Sequence, residues 1–550
     1  MLKDELSVSS PLIVDRLSFE IRRKDLLGRI GTIETKSGRI ETPHLLPVVN
    51  PLVQPITPRD MLERFQCNAI MTNAYLVKKN LRDEAVAKGI HTLLEYDGVL
   101  VTDSGAYQIL EYGDVDVKAD EIALFQESIG TDVAVMLDVP TGWRTSRAKA
   151  EWTVNETIRR ADLTLSTITR SDILWEGPIQ GGTFLDLVAR SAKEMSQRPF
   201  AIYSLGSPTP IMERYMFDRL VDMIMTAKMN VPLSKPLHLF GAGHPFMLPM
   251  AVALGCDLFD SASYAIFAKQ GRYLTESGTL RLKEIEYFPC SCPICQQYTP
   301  VELRRLDRSN METRVAEHNL FICLEEIRRI KQAITEGRLW ELIEVRARSH
   351  PSLLQALGNL GKYSRFIEKH SPSTKRKGLL YLGSHGANRP EVVRHKARLI
   401  DNYLPSRGGR TLLLLPHVHT RPYHRSFQIA SVHSILRDGR VHVCLYCFPY
   451  GVVPLEIDDV YPLSQTESPT SADQETERTA VGIIREYIAS SDYQTVILHA
   501  TNDSLSRRLV PALERLSART GRRLTISYKG DAPWSSEAVR ALLKTIRRHR

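Results

Sequence analysis

The sequence predicts an α/β protein: a closed (β/α)8 TIM barrel with a zinc-binding insertion, followed by two small α/β C-terminal domains. Three observations predict it. Eight short apolar runs alternate with segments of helical spacing over the first 265 residues, each run gives way to a polar residue or a glycine, and three cysteines crowd into Cys290-Ser-Cys292-Pro-Ile-Cys295 beyond the last of them.

The runs are LLPVV (45–49), AIMTNAY (69–75), GVLVTDSG (98–105), VAVMLDV (133–139), LWEGPIQG (174–181), FAIYSLG (200–206), PLHLFGAG (236–243) and LFDSAS (258–263). Between them lie PRDMLERFQ, ADEIALFQESIG, TFLDLVARSAKEM and PIMERYMFDRLVDMIMTA, whose apolar residues recur at helical spacing. Repeated β-then-α units with nearly continuous apolar strands indicate a parallel sheet covered on both faces. Eight such units fit a closed barrel. An open doubly wound sheet would carry a glycine-rich phosphate loop after its first strand, and this chain has none there.

Asn50, Asn73, Asp103, Asp138, Gln180, Gly206, Gly241 and Asp260 stand at or just beyond the C-terminal ends of the eight runs. In a barrel that end is where active sites are built. Asn50 and Asn73, taken alone, also suit helix N-caps. Asp103, Asp138 and Asp260 would converge from the third, fourth and eighth strands. Paired carboxylates suit glycosidic-bond chemistry, one attacking the anomeric carbon while the other moves protons. A third, beside the amide of Gln180, could read the N–H edge of a planar ligand. Tyr107 and Phe240 offer stacking faces for such a ring, although barrel packing is the plainer account of both.

Cys290, Cys292 and Cys295, with His318 on a helical segment downstream, form a Cys3His set of the kind that binds one structural Zn²⁺. Pro289 and Pro293 bound the cysteines with turn chemistry that favours convergence; a cysteine-rich turn without metal is the bland alternative. The N-terminus, MLKDELSVSS, carries charge where a signal peptide needs an apolar core. No stretch approaches the roughly 18 uninterrupted apolar residues of a membrane span, so a cytoplasmic protein without membrane contact is expected. In a reducing compartment clustered cysteines mean metal or catalysis rather than disulfides. Cys67, Cys256 and Cys323 are isolated, and Cys444 and Cys447 sit in the apolar run VHVCLYCF; all five read as core residues rather than redox groups. The excess of 72 Lys+Arg over 63 Asp+Glu, conspicuous at Lys375 to Lys377 and in the terminal KTIRRHR, suits polyanion binding and an ordinary basic enzyme equally.

The motifs VTDSGAYQ, VMLDV, PIQGGTF, YSLGSPTPIMERY, HLFGAGHPF, LFDSASY and CSCPIC with His318 resemble, in order and spacing, those of tRNA-guanine transglycosylases, most closely the archaeal members, over residues 18 to 360. The resemblance implies a barrel with a structural zinc that exchanges guanine at position 15 of the tRNA D-arm for 7-cyano-7-deazaguanine (preQ0), the first tRNA-bound step toward archaeosine. It implies that Asp260 is the nucleophile on the ribose C1′ and Asp103 the general acid/base, although the family's nucleophile has also been placed at the Asp103 position. Asp138 would accept from the N1–H and exocyclic amine of the base, with Ser104, Gln180, Gly206 and Ser207 completing its pocket. Tyr107 and Phe240 would sandwich the ring. Cys290, Cys292, Cys295 and His318 would hold the zinc, and a homodimer built around the zinc region is implied too. Many relatives have two glycines where this chain has Gly206-Ser207, and Phe where it has Tyr107, so a serine hydroxyl beside the base is expected to alter selectivity.

The expected domains are a catalytic barrel over 1–363 with a zinc subdomain at about 285–350, a first C-terminal domain over 378–463 and a second over 478–550. SRFIEKHSPSTKRK (364–377) and SQTESPTSADQETE (464–477) read as linkers. The two C-terminal domains resemble those that archaeal transglycosylases append for tRNA binding. The terminal RNA-binding barrel of many such enzymes is not apparent, so a separate RNA-binding partner is a further expectation. Two rival readings compete with this one. LPHVHTRPYHRSFQIASVH resembles a motif of archaeosine synthases, but His417 follows Pro416 where those paralogues place a cysteine. A non-catalytic tRNA-binding subunit would be expected to lose one of the catalytic aspartates, and both are present.

Overall fold

The computed structural model describes residues 19–106, 118–405, 410–433 and 440–549. Eight strands close into a barrel: β1 (His44–Val49), β2 (Ala69–Asn73), β3 (Val99–Asp103), β4 (Val133–Val135), β5 (Leu174–Ile179), β6 (Ile202–Leu205), β7 (Leu237–Leu239) and β8 (Leu258–Ser261). Each pairs in parallel with the next, and β8 returns to β1 with Asp260 opposite Leu46. Every residue of β2 and β4 is buried, as a sheet covered by helices on one face and closed around side chains on the other requires.

Two segments depart from the expected outline for local reasons. PIMERYMFDRLVDMIMTA folds as two helices, Thr209–Glu213 and Phe217–Asn230, because Tyr215 takes a left-handed conformation (φ 55°) between them. The fourth run yields a strand of only three residues. Met136 N still bonds the Glu176 carbonyl at 3.3 Å, after which the chain leaves the ladder and Arg160 Nη1 holds the Asp138 carbonyl at 3.1 Å. Asp138 is thereby carried past the strand into the barrel mouth.

The other end of the barrel is closed by a three-stranded antiparallel sheet, Phe19–Asp25, Gly28–Glu34 and Arg39–Glu41. Ile33 and Ile40 pack against Ala69, Val99, Val133 and Leu258, which open β2, β3, β4 and β8. Both isoleucines are fully buried, each contributing about 2 kcal/mol of hydrophobic stabilisation. Arg29, also buried, reaches Asp257 through Nε at 2.9 Å.

After β8 come the hairpin Arg272–Thr275 and Gly278–Arg281, then the short helices Pro293–Gln297 and Pro300–Arg305 and the long helix Arg308–Glu336. Thr299 and Glu302 exchange hydrogen bonds in a capping box that fixes where the second short helix begins. The chain forms two compact units: one holds the barrel and this insertion up to Thr335 with Val345–Asn359, the other Glu336–Glu344 with the chain from Leu360 onward.

The second unit corrects the expected division into two C-terminal domains. Five of its strands, β9 (Thr411–Pro416), β10 (Val441–Cys447), β11 (Gly451–Pro454), β12 (Thr495–Thr501) and β13 (Arg523–Gly530), form one sheet in the order β11-β10-β9-β12-β13. β9 and β12, which the sequence reading assigned to 378–463 and 478–550, pair directly, with Leu412 opposite Val496 and Leu414 opposite Leu498. The reason lies in TLLLLP, which is buried on both faces. Leu412 and Leu414 pack into one core cluster, Leu413 and Leu415 into another, so the strand needs neighbours that neither half supplies alone. Cys444 and Cys447 fall in these two separate clusters, on opposite faces of the sheet, as core cysteines do.

Nor are 364–377 and 464–477 simple linkers. Ser364–His370 is a helix that buries Ile367, and Arg394 Nε holds Glu368 Oε1 at 2.6 Å. Thr466–Glu467 pairs with Leu379–Leu380, and Asp473 caps the helix Gln474–Ser490. Polar composition hid these elements because their few buried residues are widely spaced. Among the described residues no helix is long and apolar enough to cross a membrane.

Candidate active site

The C-terminal ends of the barrel strands surround a cavity of about 860 Å³ whose lining includes Asp103, Asp138, Gln180, Ser207, Phe240 and Asp260. Gly206 lines it as well. The structure thus brings together most of the residues singled out in the sequence. Ser104 is not among the lining residues; it is buried, and its hydroxyl donates to the Met136 carbonyl at 3.3 Å. Tyr107 lies outside the described residues.

Asp103 closes β3 opposite Asn73, the last residue of β2. Asn73 Nδ2 donates to Asp103 Oδ2 at 2.9 Å, while Asn73 Oδ1 accepts from Leu76 N and caps the helix Ala74–Lys88. Burial and the nearby carboxylates of Asp138 and Asp260 push Asp103 up to about 7, against the opposing Gly105 N–H. A carboxyl so tuned holds and yields a proton near neutrality.

Asp138 is pushed up to about 6 by burial, opposed by hydrogen bonding from Gln180 and by the charge of Arg160. The Gln180 amide has a defined orientation: Oε1 accepts from Thr141 N and from Ser207 Oγ, each at 2.9 Å, so Nε2 is the end that donates to Asp138 Oδ2. Gly206 makes room for it, since a Cβ there would meet Gln180 Nε2 at 2.1 Å. Ser207 holds a left-handed backbone (φ 62°), a conformation a glycine adopts without cost. Carboxylate and amide together offer the acceptors and donors that reading a heterocycle's edge requires.

Asp260, in β8, accepts from Gly241 N at 2.8 Å through Oδ1. His238 Nε2 lies 3.2 Å from the same oxygen. On its other side His238 Nδ1 is 3.0 Å from Glu176 Oε2, which also accepts from Ser204 Oγ at 2.6 Å. Burial alone would lower His238, but the charges of Glu176 and Asp260 outweigh it and raise the imidazole to about 10. His238 is therefore an imidazolium at neutral pH. Phe240 sets its ring edge-on to His238, with centroids 4.8 Å apart. Sequence reasoning missed Glu176 and His238. Their signal was available, a charged residue inside each of two otherwise apolar strands, LWEGPIQG and PLHLFGAG.

Away from the cavity, Cys290, Cys292, Cys295 and His318 bring four ligand atoms within 4.8 Å of one another. His318 Nδ1 is 3.4 Å from both Cys292 Sγ and Cys295 Sγ, which are 3.5 Å apart. Sulfurs about 2.3 Å from a tetrahedral zinc would be separated by roughly 3.8 Å, so the set is close to closing on a single ion. His318 Nε2 faces the Leu274 carbonyl at 2.9 Å, which fixes the tautomer that leaves Nδ1 free as a ligand. Tyr273 stacks on the imidazole at 3.6 Å. These soft and borderline donors fit a divalent metal ion.

A family model described as Queuine tRNA-ribosyltransferase matches residues 25–352, and a second, described as a domain of unknown function, matches 392–546. A protein of Methanococcus aeolicus named tRNA-guanine(15) transglycosylase is 44% identical over 464 residues, 82% of this chain and 69% of that protein. Its namesake in Methanocaldococcus jannaschii is 44% identical over 474 residues, 84% of this chain and 70% of its own length. That of Pyrobaculum aerophilum is 43% identical over 502 residues, covering 90% and 98%.

Proposed function

The chain belongs to the tRNA-guanine transglycosylase family, and from that premise we propose that it exchanges guanine at position 15 of the tRNA D-arm for preQ0, the first tRNA-bound step toward archaeosine, in the cytoplasm. Two displacements suffice. The Asp260 carboxylate attacks C1′ of the ribose; the C1′–N9 bond breaks, its electron pair leaves on guanine, and Asp103 gives that base its proton. With preQ0 in place of guanine, Asp103 takes the N9 proton, and N9 attacks C1′ and releases Asp260. Each displacement inverts C1′, so the exchange retains configuration.

The observation that carries this proposal is the contrast between the two carboxylates. Asp103 is pushed up to about 7, where a proton moves in either direction at neutral pH. Asp260 instead receives the Gly241 N–H and faces the His238 imidazolium, contacts that favour an anionic nucleophile. Asp138 and Gln180 would take the N1–H and exocyclic amine of the base, with Gly206 and Ser207 beside them and Phe240 on one face. Tyr107 would cover the other.

A zinc ion held by Cys290, Cys292, Cys295 and His318 would supply folding energy to the insertion and no chemistry to the exchange. A homodimer around this region and tRNA contacts from the C-terminal domain complete the proposal. His417 follows Pro416 at the end of β9, where amidination chemistry would want a thiol, so the synthase reading is the weaker one.

The test is tRNA carrying labelled guanine at position 15, incubated with and without preQ0, for the wild type and Asp260→Asn. Release of label that needs preQ0 and vanishes in the variant supports base exchange. Intact tRNA binding without release points to a non-catalytic subunit.

A further inference from the structure

We propose that His238, tethered by Glu176, is a positioning residue that holds Asp260 anionic and turns its Oδ2 toward the ribose; this rests on reading Asp260 as the nucleophile.

Four adjacent strands supply the parts. Glu176 comes from β5, Ser204 from β6, His238 from β7 and Asp260 from β8, with Ser204 opposite His238 in the β6–β7 register. Glu176 and His238 are 0% exposed, so the contact between them is shielded from water, while Asp260 stays partly exposed toward the mouth. Ser204 Oγ and His238 Nδ1 both meet Glu176 Oε2, which fixes the plane of the imidazole. Its far nitrogen and Gly241 N then meet at Asp260 Oδ1, which leaves Oδ2 as the attacking oxygen.

Charge balance favours the same arrangement. Asp103 from β3, Asp138 beyond β4 and Asp260 bring three carboxyl groups to the mouth with Glu176 buried behind them; Asp103 feels the charges of both Glu176 and Asp260, and among the described contacts the basic group that touches both of those is His238. His244 lines the same cavity, but burial lowers it to about 3, so it brings no compensating charge. An imidazolium between Glu176 and Asp260 leaves one net negative charge where the nucleophile needs it. A neutral ring would leave the buried Glu176 carboxylate and the partly exposed Asp260 carboxylate on either side of it with one N–H to share.

The experiment uses the full chain, with wild type, His238→Gln, Glu176→Gln and Asp260→Asn assayed for kcat and for KM of tRNA and preQ0 from about pH 5.5 to 9, alongside tRNA binding and thermal melting. His238→Gln is expected to lower kcat by about 100-fold with both KM values nearly unchanged, and to move the acid limb of kcat upward by about one pH unit, since the carboxylate loses its cation. Glu176→Gln preserves shape and is expected to cost about tenfold and to add a basic limb where His238 gives up its proton. A wild-type kcat and pH profile in His238→Gln overturns the proposal. Should that variant fail to fold, an unchanged profile in Glu176→Gln overturns it equally. Asp260→Asn separates the two levels. Exchange that survives in it removes the nucleophile itself, whereas a dead Asp260→Asn beside unaffected His238 and Glu176 variants removes only the positioning role.

Discussion

Asn73 and Asp103 stand opposite each other at the ends of neighbouring strands, and the Nδ2 of one donates to the Oδ2 of the other at 2.9 Å. One amide thus starts a helix and steadies a candidate acid/base. Asn73→Ala removes both roles. It should lower stability by about 1 kcal/mol through the lost cap. Losing a donor to the ionised carboxylate should also raise the proton affinity of Asp103 and move the basic limb of kcat upward by about half a unit. Urea melts and a pH–rate profile check the two effects separately.

Burial of Asp103 has a price in stability whose sign is fixed. Its carboxyl is pushed from 3.8 up to about 7, so the folded state binds the proton more tightly than the unfolded chain. Its contribution is fully present below about pH 4 and is lost as pH rises through about 7. Asp103→Asn should therefore abolish exchange yet stabilise the protein at pH 8 by up to about 4 kcal/mol, less whatever Asp138 and Asp260 share. The gain should fade toward pH 4, which thermal melts of both proteins across that range will show.

The pair Gly206-Ser207 governs how Gln180 presents its amide. Gly206→Ala would drive a Cβ into Gln180 Nε2 and should raise KM for the base at least 100-fold while tRNA binding persists. Ser207→Gly relieves a left-handed backbone but removes the hydroxyl from Oε1, terms of about 1 kcal/mol that oppose each other. Its melting temperature should stay nearly constant, with base KM rising several-fold.

Metal analysis should return one zinc per chain. Cys292→Ser or a strong chelator should lower the melting temperature markedly, and more so toward acid pH, because the thiolates must be deprotonated to bind. Catalytic loss should follow the loss of structure. Inactivation without any change in melting would contradict a folding role.

In the C-terminal unit, Glu391 is buried between Lys375 Nζ at 2.6 Å and Arg389 Nε at 3.0 Å. These charges overcome burial and hold its carboxyl down at about 2. Its stabilisation is present above about pH 4.3 and disappears as pH falls through 2. Glu391→Gln removes the buried anion that both cations face, while Arg389 keeps Glu341 at 3.1 Å, and should destabilise this unit by about 3 kcal/mol, readable as an earlier unfolding transition in calorimetry.

How much of this was legible in the chain differs by element. Barrel strands declare themselves because they are covered on both faces, and their polar ends mark the mouth. Asp103, Asp138, Gln180, Gly206 and Asp260 line the cavity at those strand ends, and Ser207 and Phe240, the first expected from the family resemblance alone, line it beside them. Ser104, named through the family resemblance, turns its hydroxyl to the Met136 carbonyl, and whether a strand-end serine faces the cavity or a neighbouring carbonyl is a choice that spacing does not encode. Glu176 and His238 were passed over because each looks like a lone charge in a strand until the barrel closes and pairs them. The C-terminal sheet was divided at a polar stretch, since the pairing of β9 with β12 spans more than eighty residues and leaves no local trace.

The most direct test of the central claim is to quench the enzyme with tRNA during turnover, isolate the covalent complex under denaturing conditions, and locate the ribose-bearing peptide by mass spectrometry. The adduct is expected on Asp260, absent in Asp260→Asn and still detectable in trace amounts in Asp103→Asn. An adduct on Asp103, or exchange without any covalent complex, would contradict the assignment of nucleophile and acid/base made here.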